Sequence, residues 1–150
     1  MARRIIGVIG AGSCEPEISA HARDVGRLLA REDCIVLTGG LGGVMEAAAR
    51  GAQEAGGLAL GILPGSGAAE GNPWLDISIP TGMGDARNAV ICNSAEAFIA
   101  IGGEYGTLSE IAYALKRKKL VVSLGSWTEG LPVEVVETPA EAVQRVLTRS

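Results

Sequence analysis

Short apolar runs alternate along the chain with segments whose apolar residues recur every three or four positions. RIIGVI (4–9) is continuous, as a strand buried on both faces should be. After GAGSCEPE, Ile18, Ala22, Val25 and Leu29 fall at helical spacing. CIVLT (34–38) is a second strand. GGLGG (39–43) then opens a helix with a small-residue face of Val44, Ala47, Ala48, Gly51, Ala52 and Ala55. LALGIL (58–63) is a third strand, followed by a long loop, PGSGAAEGNPW, and a short DISI (76–79). The pattern predicts a helix from about Gly84 to Asn93, the strand AFIAI (97–101), and a helix carrying Leu108, Ile111, Ala112 and Leu115 on one face. LVVSLG (120–125) and a short LPVEVV (131–136) follow. Thr138-Pro139-Ala140-Glu141 has a cap, a first-turn proline and a glutamate three residues on, the start of a helix using Ala140, Val143, Val146 and Leu147.

Strand–helix alternation with buried apolar strands implies an α/β fold: a doubly wound, mainly parallel sheet with helices on both faces. No linker or period-length repeat interrupts it, so residues 1–150 are expected to form one domain.

Composition narrows the function. The chain is 47% hydrophobic but only 3% aromatic, so the core is built from Ala, Val, Ile and Leu. A net charge of −4 argues against a nucleic-acid or acidic-membrane surface. The one basic run, Lys116-Arg117-Lys118-Lys119, sits where a helix should end and complements its dipole. Cys14, Cys34 and Cys92 lack Cys-x-x-Cys spacing, and His21 is the one histidine, so no zinc site is expected. The first apolar run is too short for a signal peptide or a span, and the expectation is a cytoplasmic protein with reduced thiols.

The 22 glycines cluster after apolar runs. GAGSCE, TGGLGG and IGGEYGT all fall at expected carboxyl ends of strands, where doubly wound sheets bind ligands. Glycine lets backbone approach a ligand, and a following helix start offers free N–H groups to an anion. The convergence of these loops points to a phosphate-bearing ligand. Gly10-Ala11-Gly12 lacks the third glycine of a dinucleotide fingerprint, and no Gly-x-x-x-x-Gly-Lys-Ser/Thr exists. A nicotinamide dehydrogenase and a P-loop nucleoside triphosphatase are thereby disfavoured.

GGLGGVMEAAARGA, MGDARN and GGEYGTLSEIAYALK, with GAGS and GILPG in place, resemble the superfamily often labelled lysine decarboxylase-like. It includes the cytokinin-activating phosphoribohydrolases and the molybdenum cofactor carrier proteins. The resemblance implies a Rossmann-like fold and a homo-oligomer, dimer or tetramer. In the hydrolases the signature is Pro-Gly-Gly-x-Gly-Thr-x-x-Glu with an arginine on the preceding helix; Gly103, Gly106, Thr107, Glu110 and Arg87 match it. Gly102 stands at the proline position, Glu104 at the second glycine, Asn88 where a lysine follows the arginine, and Glu46 where a glycine follows methionine. These departures are closer to the carrier-type branch. Decarboxylation with pyridoxal phosphate is disfavoured on residues: Lys116, Lys118 and Lys119 all lie in the basic run, away from the Gly-rich edge.

The expected ligand-binding residues are Gly12, Ser13, Gly39, Gly40, Gly42, Gly43, Arg87, Asn88, Gly102, Gly103, Gly106 and Thr107. No metal is expected among them. Arg87, past Gly82-Met83-Gly84, can clamp a phosphate bidentately or be a solvated helix residue. Thr107 and Glu110 have capping-box spacing, so Glu110 is expected to cap its helix and also to face the pocket. Asp85 reads as an N-cap or first-turn acid. Glu46 and Glu104 read equally as surface charges or pocket groups, and Trp74 and Trp127 as covers for a ligand ring or as loop anchors. The favoured function is binding of a phosphorylated nucleotide-like or pterin-cofactor ligand, with no cofactor required for chemistry. The alternative is a phosphoribohydrolase that cleaves a nucleoside 5′-monophosphate, with Arg87 and Glu110 catalytic.

Overall fold

The computed structural model describes residues 3–149. The strands are β1 (Ile5–Gly10), β2 (Ile35–Thr38), β3 (Ala59–Leu63), β4 (Ile77–Pro80), β5 (Ala97–Ile101), β6 (Leu120–Leu124) and β7 (Glu134–Val136). They form one sheet in the order β4-β3-β2-β1-β5-β6-β7, with every neighbouring pair parallel. Helices α1 (Pro16–Arg31), α2 (Val44–Glu54) and α5 (Pro139–Arg149) cover one face; α3 (Arg87–Ser94) and α4 (Tyr105–Lys116) cover the other. This is the expected doubly wound, Rossmann-like α/β fold. In β1, Ile6, Val8 and Ile9 are all buried, as a strand covered on both sides requires.

Small residues set the closest approaches. A Cβ on Gly26 would strike the Ala48 carbonyl, and one on Gly51 the Arg23 carbonyl, so α1 and α2 pack backbone against backbone. The Thr138–Glu141 cap forms: the Glu141 N–H donates to Thr138 Oγ1 at 3.2 Å. No helix among the described residues is long and apolar enough to cross a membrane.

Several boundaries differ from expectation for physical reasons. Gly84 has φ +60°, which an α-helix excludes; residues 84–86 form a 3-10 turn, and α3 begins at Arg87. Asp85 therefore lies in that turn and makes no capping bond. The last strand starts at Glu134 because Pro132 offers no N–H and Val133 is held in a tight turn to the Leu131 carbonyl at 2.9 Å. The capping box at Thr107–Glu110 does not exist. Helix α4 starts at Tyr105 with Glu104 as N-cap, which places Thr107 inside the first turn. Gly102 and Gly103, at φ +59° and +100°, turn the chain early enough to start the helix there. Part of the basic run also serves another helix. Lys119 Nζ donates to the carbonyls of Cys92, Asn93 and Ala95 at 2.7, 3.1 and 2.7 Å, closing the C-terminus of α3.

Candidate functional site

The chain runs outward from β1 to β4 and then returns to place β5 on the other side of β1. The crevice beyond β1 and β5 is thus the topological switch point, where such sheets take ligands. A cavity of about 430 Å³ opens there. One wall is Gly10–Ser13; a Cβ on Gly10 would strike the Ile101 carbonyl, so only glycine lets β1 and β5 close beneath the cavity. The Val44 N–H donates to the Ala11 carbonyl at 2.9 Å and ties the start of α2 to this wall. Gly43, at φ +62° and close against Ala11 and Gly12, makes that contact possible.

The opposite wall is the start of α4, with Glu104, Gly106, Thr107 and Glu110 facing the cavity. The first backbone bond of α4 runs from Leu108 N–H to the Glu104 carbonyl at 3.0 Å. The N–H groups of Tyr105, Gly106 and Thr107 have no backbone partner, and they sit at the positive end of the helix dipole. Trp127 fixes this start: its Nε1 donates to the Glu104 carbonyl at 3.1 Å, and its ring stacks on Tyr105 at 6.1 Å. Trp74 instead lies under the Arg50 guanidinium, 5.0 Å from it.

Arg87, Asn88 and Asp85 complete the cavity, with Met45 beside them. Arg87 is buried, not a solvated helix residue. Its Nε donates to the Ile62 carbonyl at 3.0 Å, Nη2 to the Gly39 carbonyl at 3.3 Å and Nη1 to Asn88 Oδ1. These bonds lock the guanidinium and leave its remaining N–H groups at the cavity. Burial lowers its pKa, while Glu110 and Asp85 oppose that shift. Asn88 Nδ2 donates to Ser109 Oγ at 3.2 Å, and Ser109 Oγ to the Gly106 carbonyl at 2.7 Å, joining α3 to α4.

Glu110 is 8% exposed, and its carboxyl makes no hydrogen bond among the described residues. Burial pushes its pKa up to about 7 against the attraction of Arg87. Cys92 Sγ donates to the Glu110 backbone carbonyl at 3.2 Å, and burial pushes that thiol up to about 12, so it stays protonated.

The structure brings Gly12, Ser13, Arg87, Asn88, Gly106, Thr107 and Glu110 around one cavity. Gly43 lines an adjoining space of about 560 Å³ that shares Gly12 and Ser13 with the first. Gly39 sits behind Arg87, and Gly42 lies near the Gly12 carbonyl. Gly40, Gly102 and Gly103 line neither space; all have positive φ and shape the loops. Met45 in the cavity, and Arg23 and Arg50 in the adjoining space, carry no motif that marks them in the sequence. Asp85, expected as a helix acid, and Glu104 face the cavity, and Glu46 faces the adjoining space. The position of Asp85 two residues before Arg87 was the available signal. Among the described residues, no group of His, Cys, Asp and Glu is arranged to hold a metal.

The model of the SLOG cluster4 family matches residues 3–148. An uncharacterized protein of Archaeoglobus fulgidus is 48% identical over 97% of this chain and 95% of its own length. A probable cytokinin riboside 5′-monophosphate phosphoribohydrolase of Oryza sativa subsp. japonica is 33% identical over 64% of this chain, an alignment spanning 43% of that protein. The structure is similar to that of the molybdenum cofactor binding protein of the phototrophic bacterium Rippkaea orientalis, with TM-score 0.92, 36% identity and coverage of 98% and 97% of the two chains. The molybdenum cofactor carrier protein of Chlamydomonas reinhardtii follows at TM-score 0.86, 36% identity and 97% of both chains. The lysine decarboxylase-like resemblance and its carrier-type branch are thereby borne out.

Proposed function

The chain belongs to the SLOG cluster4 family, and we propose that its switch-point cavity binds a phosphorylated pterin- or nucleotide-type ligand without turning it over. The observation that carries this reading is the unpaired Tyr105–Thr107 amides opening on the same cavity as the locked guanidinium of Arg87. A helix start plus a preset arginine is a strong anion site, because neither group needs reorganising when the ligand arrives. Gly106 and Gly12 add no side chain that would hold a phosphate away. The similarity to proteins that bind or carry the molybdenum cofactor supports a pterin cargo. The donor set fits the phosphate and ring of such a cargo.

A second reading is a phosphoribohydrolase acting on a nucleoside 5′-monophosphate. It is favoured by Glu110, whose pKa of about 7 suits acid–base work near neutral pH, and by the resemblance to the rice enzyme. The site residues then take different roles: Arg87 orients the substrate, and Glu110 stabilises the cationic sugar or positions water. The wider reading is one domain over residues 1–150 in a cytoplasmic homo-oligomer. Ile77 and Ile79, exposed on edge strand β4, support the assembly. Light scattering after gel filtration should give a dimer or tetramer mass, and a monomer at micromolar concentration removes that part.

Thermal melting with AMP, GMP, adenosine, guanosine and inorganic phosphate tests the site. A ligand at about 100 times its Kd stabilises the native state by about 2.7 kcal/mol. Phosphorylated ligands should raise Tm by more than the matching nucleosides do. Equal shifts from nucleoside and nucleotide remove the phosphate anchor. Release of free base from the monophosphates above the buffer rate would replace binding with hydrolysis.

A further inference from the structure

The carboxyl of Glu110 is nine-tenths buried and lines the cavity, yet none of the described residues hydrogen-bonds it. Its oxygens open on the cavity, so a donor that enters there and displaces water is its natural partner. A ligand that covers the carboxyl without pairing it would leave it at a cost of about 1–3 kcal/mol, more if charged. Arg87 is near enough to attract it, but its bonded donors go to Ile62, Gly39 and Asn88. The other ionisable side chains of the cavity, Asp85 and Glu104, are also acidic, and the Cys92 thiol already donates to the Glu110 backbone. Acceptors therefore outnumber side-chain cations around this space. The donors for an anion are the Tyr105–Thr107 N–H groups at the start of α4 and the remaining N–H groups of Arg87. A ligand satisfying both ends carries a phosphate at one end and N–H donors at the other.

Resting on the ligand-binding reading above, we propose that Glu110 recognises the paired N–H edge of an amino-oxopyrimidine ring, the edge shared by guanine and pterins. A carboxylate offers two parallel acceptors, and this edge offers two parallel donors, one from the ring N–H and one from the amino group. Hypoxanthine lacks the amino donor. Lumazine replaces it with a carbonyl, which would face the carboxylate. Adenine alternates donor and acceptor and fits only a protonated carboxyl. The matched ring holds Glu110 ionised, so its binding releases a proton.

Calorimetry with GMP, IMP, AMP, guanosine, pterin and lumazine tests this, on wild type and Glu110→Gln, at pH 6 and 8. Wild type should prefer GMP to IMP, and pterin to lumazine, by at least about tenfold, the scale of one buried donor–acceptor pair. The GMP/IMP ratio cancels the titration of the phosphate. For a roughly tenfold preference of the ionised form it should rise about fivefold from pH 6 to pH 8, as Glu110 goes from mostly protonated to mostly ionised. Cys92, pushed up to about 12, stays a thiol over this range, and a guanidinium is not deprotonated in proteins, so neither produces that trend. Glu110→Gln should lose both preferences without a lower Tm. The proposal is overturned by equal affinity within both pairs, absence of all binding included. AMP binding more tightly than GMP toward low pH, or preferences that survive Glu110→Gln, would overturn it too. If guanosine binds as tightly as GMP while the ring preferences hold, the phosphate anchor fails and the ring assignment stands.

Discussion

Replacing Glu110 by Gln should make the protein more stable, and by an amount that depends on pH. The native carboxyl has its pKa raised from 4.5 to about 7, with burial as the larger cause and Arg87 opposing it. A carboxyl raised in the folded state binds its proton more tightly there than in the unfolded chain. Stability therefore falls as pH rises from 4.5 to about 7 and is level above that. The ionised native state carries a cost of about 3 kcal/mol, in which the attraction of Arg87 is already counted. Gln has nearly the same shape and does not titrate. The gap between variant and wild type should thus widen by about 2.5 kcal/mol from pH 5 to pH 8. In a chain of this size that corresponds to roughly 5–10 °C in Tm. The assay is urea unfolding of both proteins at half-unit pH steps, followed by circular dichroism. Other titrating groups move both curves together, so only the difference is read. Parallel curves would mean that Glu110 is already ionised and satisfied at pH 5. A variant less stable than wild type at pH 8 would restore a capping role.

Gly106→Ala should leave stability unchanged or raised by up to about 1 kcal/mol, since its Cβ meets nothing and alanine suits a helix. The same methyl stands at the cavity wall and should weaken GMP binding at least about tenfold by titration. Gly40→Ala, at φ +79° against Leu63, should instead unfold more easily by about 1–3 kcal/mol in urea. Lys119→Met removes the donor shared by three carbonyls at the end of α3 and should cost about 1–3 kcal/mol, read by thermal melting. Thr138→Ala should cost about 1 kcal/mol by losing the cap on α5. Thr107→Ala loses no cap, and equal cap losses at the two threonines would contradict the start of α4 at Tyr105.

The two Thr-x-x-Glu segments show where sequence reading stops. At 138–141 the pattern follows a strand directly and a proline sets the first turn, so local chemistry alone starts the helix. At 107–110 the same letters follow two glycines, whose positive φ lets the helix begin before the threonine. The parallel sheet and its helices on both faces were legible, because burial on both faces leaves its mark as continuous apolar runs, whereas the strand order was not. The glycines were legible only as a group. Gly12 and Gly106 leave space, Gly40 and Gly103 supply a backbone shape, and Gly26 and Gly51 admit another helix. Those roles depend on φ and on neighbours distant in sequence. Arg23 and Arg50 were missed for the same reason: α1 and α2 bring them together at Glu54 only after the helices pack.

Holding a ligand and cleaving it make opposite demands on the same carboxyl. A hydrolase needs Glu110 to respond to charge that appears at the sugar in the transition state, and so to be left unsatisfied by the ground-state ligand. A carrier needs Glu110 satisfied on arrival, because a buried acceptor paired only in the bound state adds directly to affinity. The chain already fixes Arg87 through Ile62, Gly39 and Asn88, and fixes the helix start through Trp127. Glu110 and Thr107 are buried at the cavity, and neither side chain is hydrogen-bonded among the described residues; of the two, only Glu110 can carry charge. If the ring edge pairs with that carboxyl, the free energy available from Glu110 is used in binding and little is left for a sugar cation. Release of a proton on GMP binding, measured as the buffer dependence of the binding enthalpy at pH 7, therefore favours holding. Binding without proton release leaves the carboxyl free for chemistry.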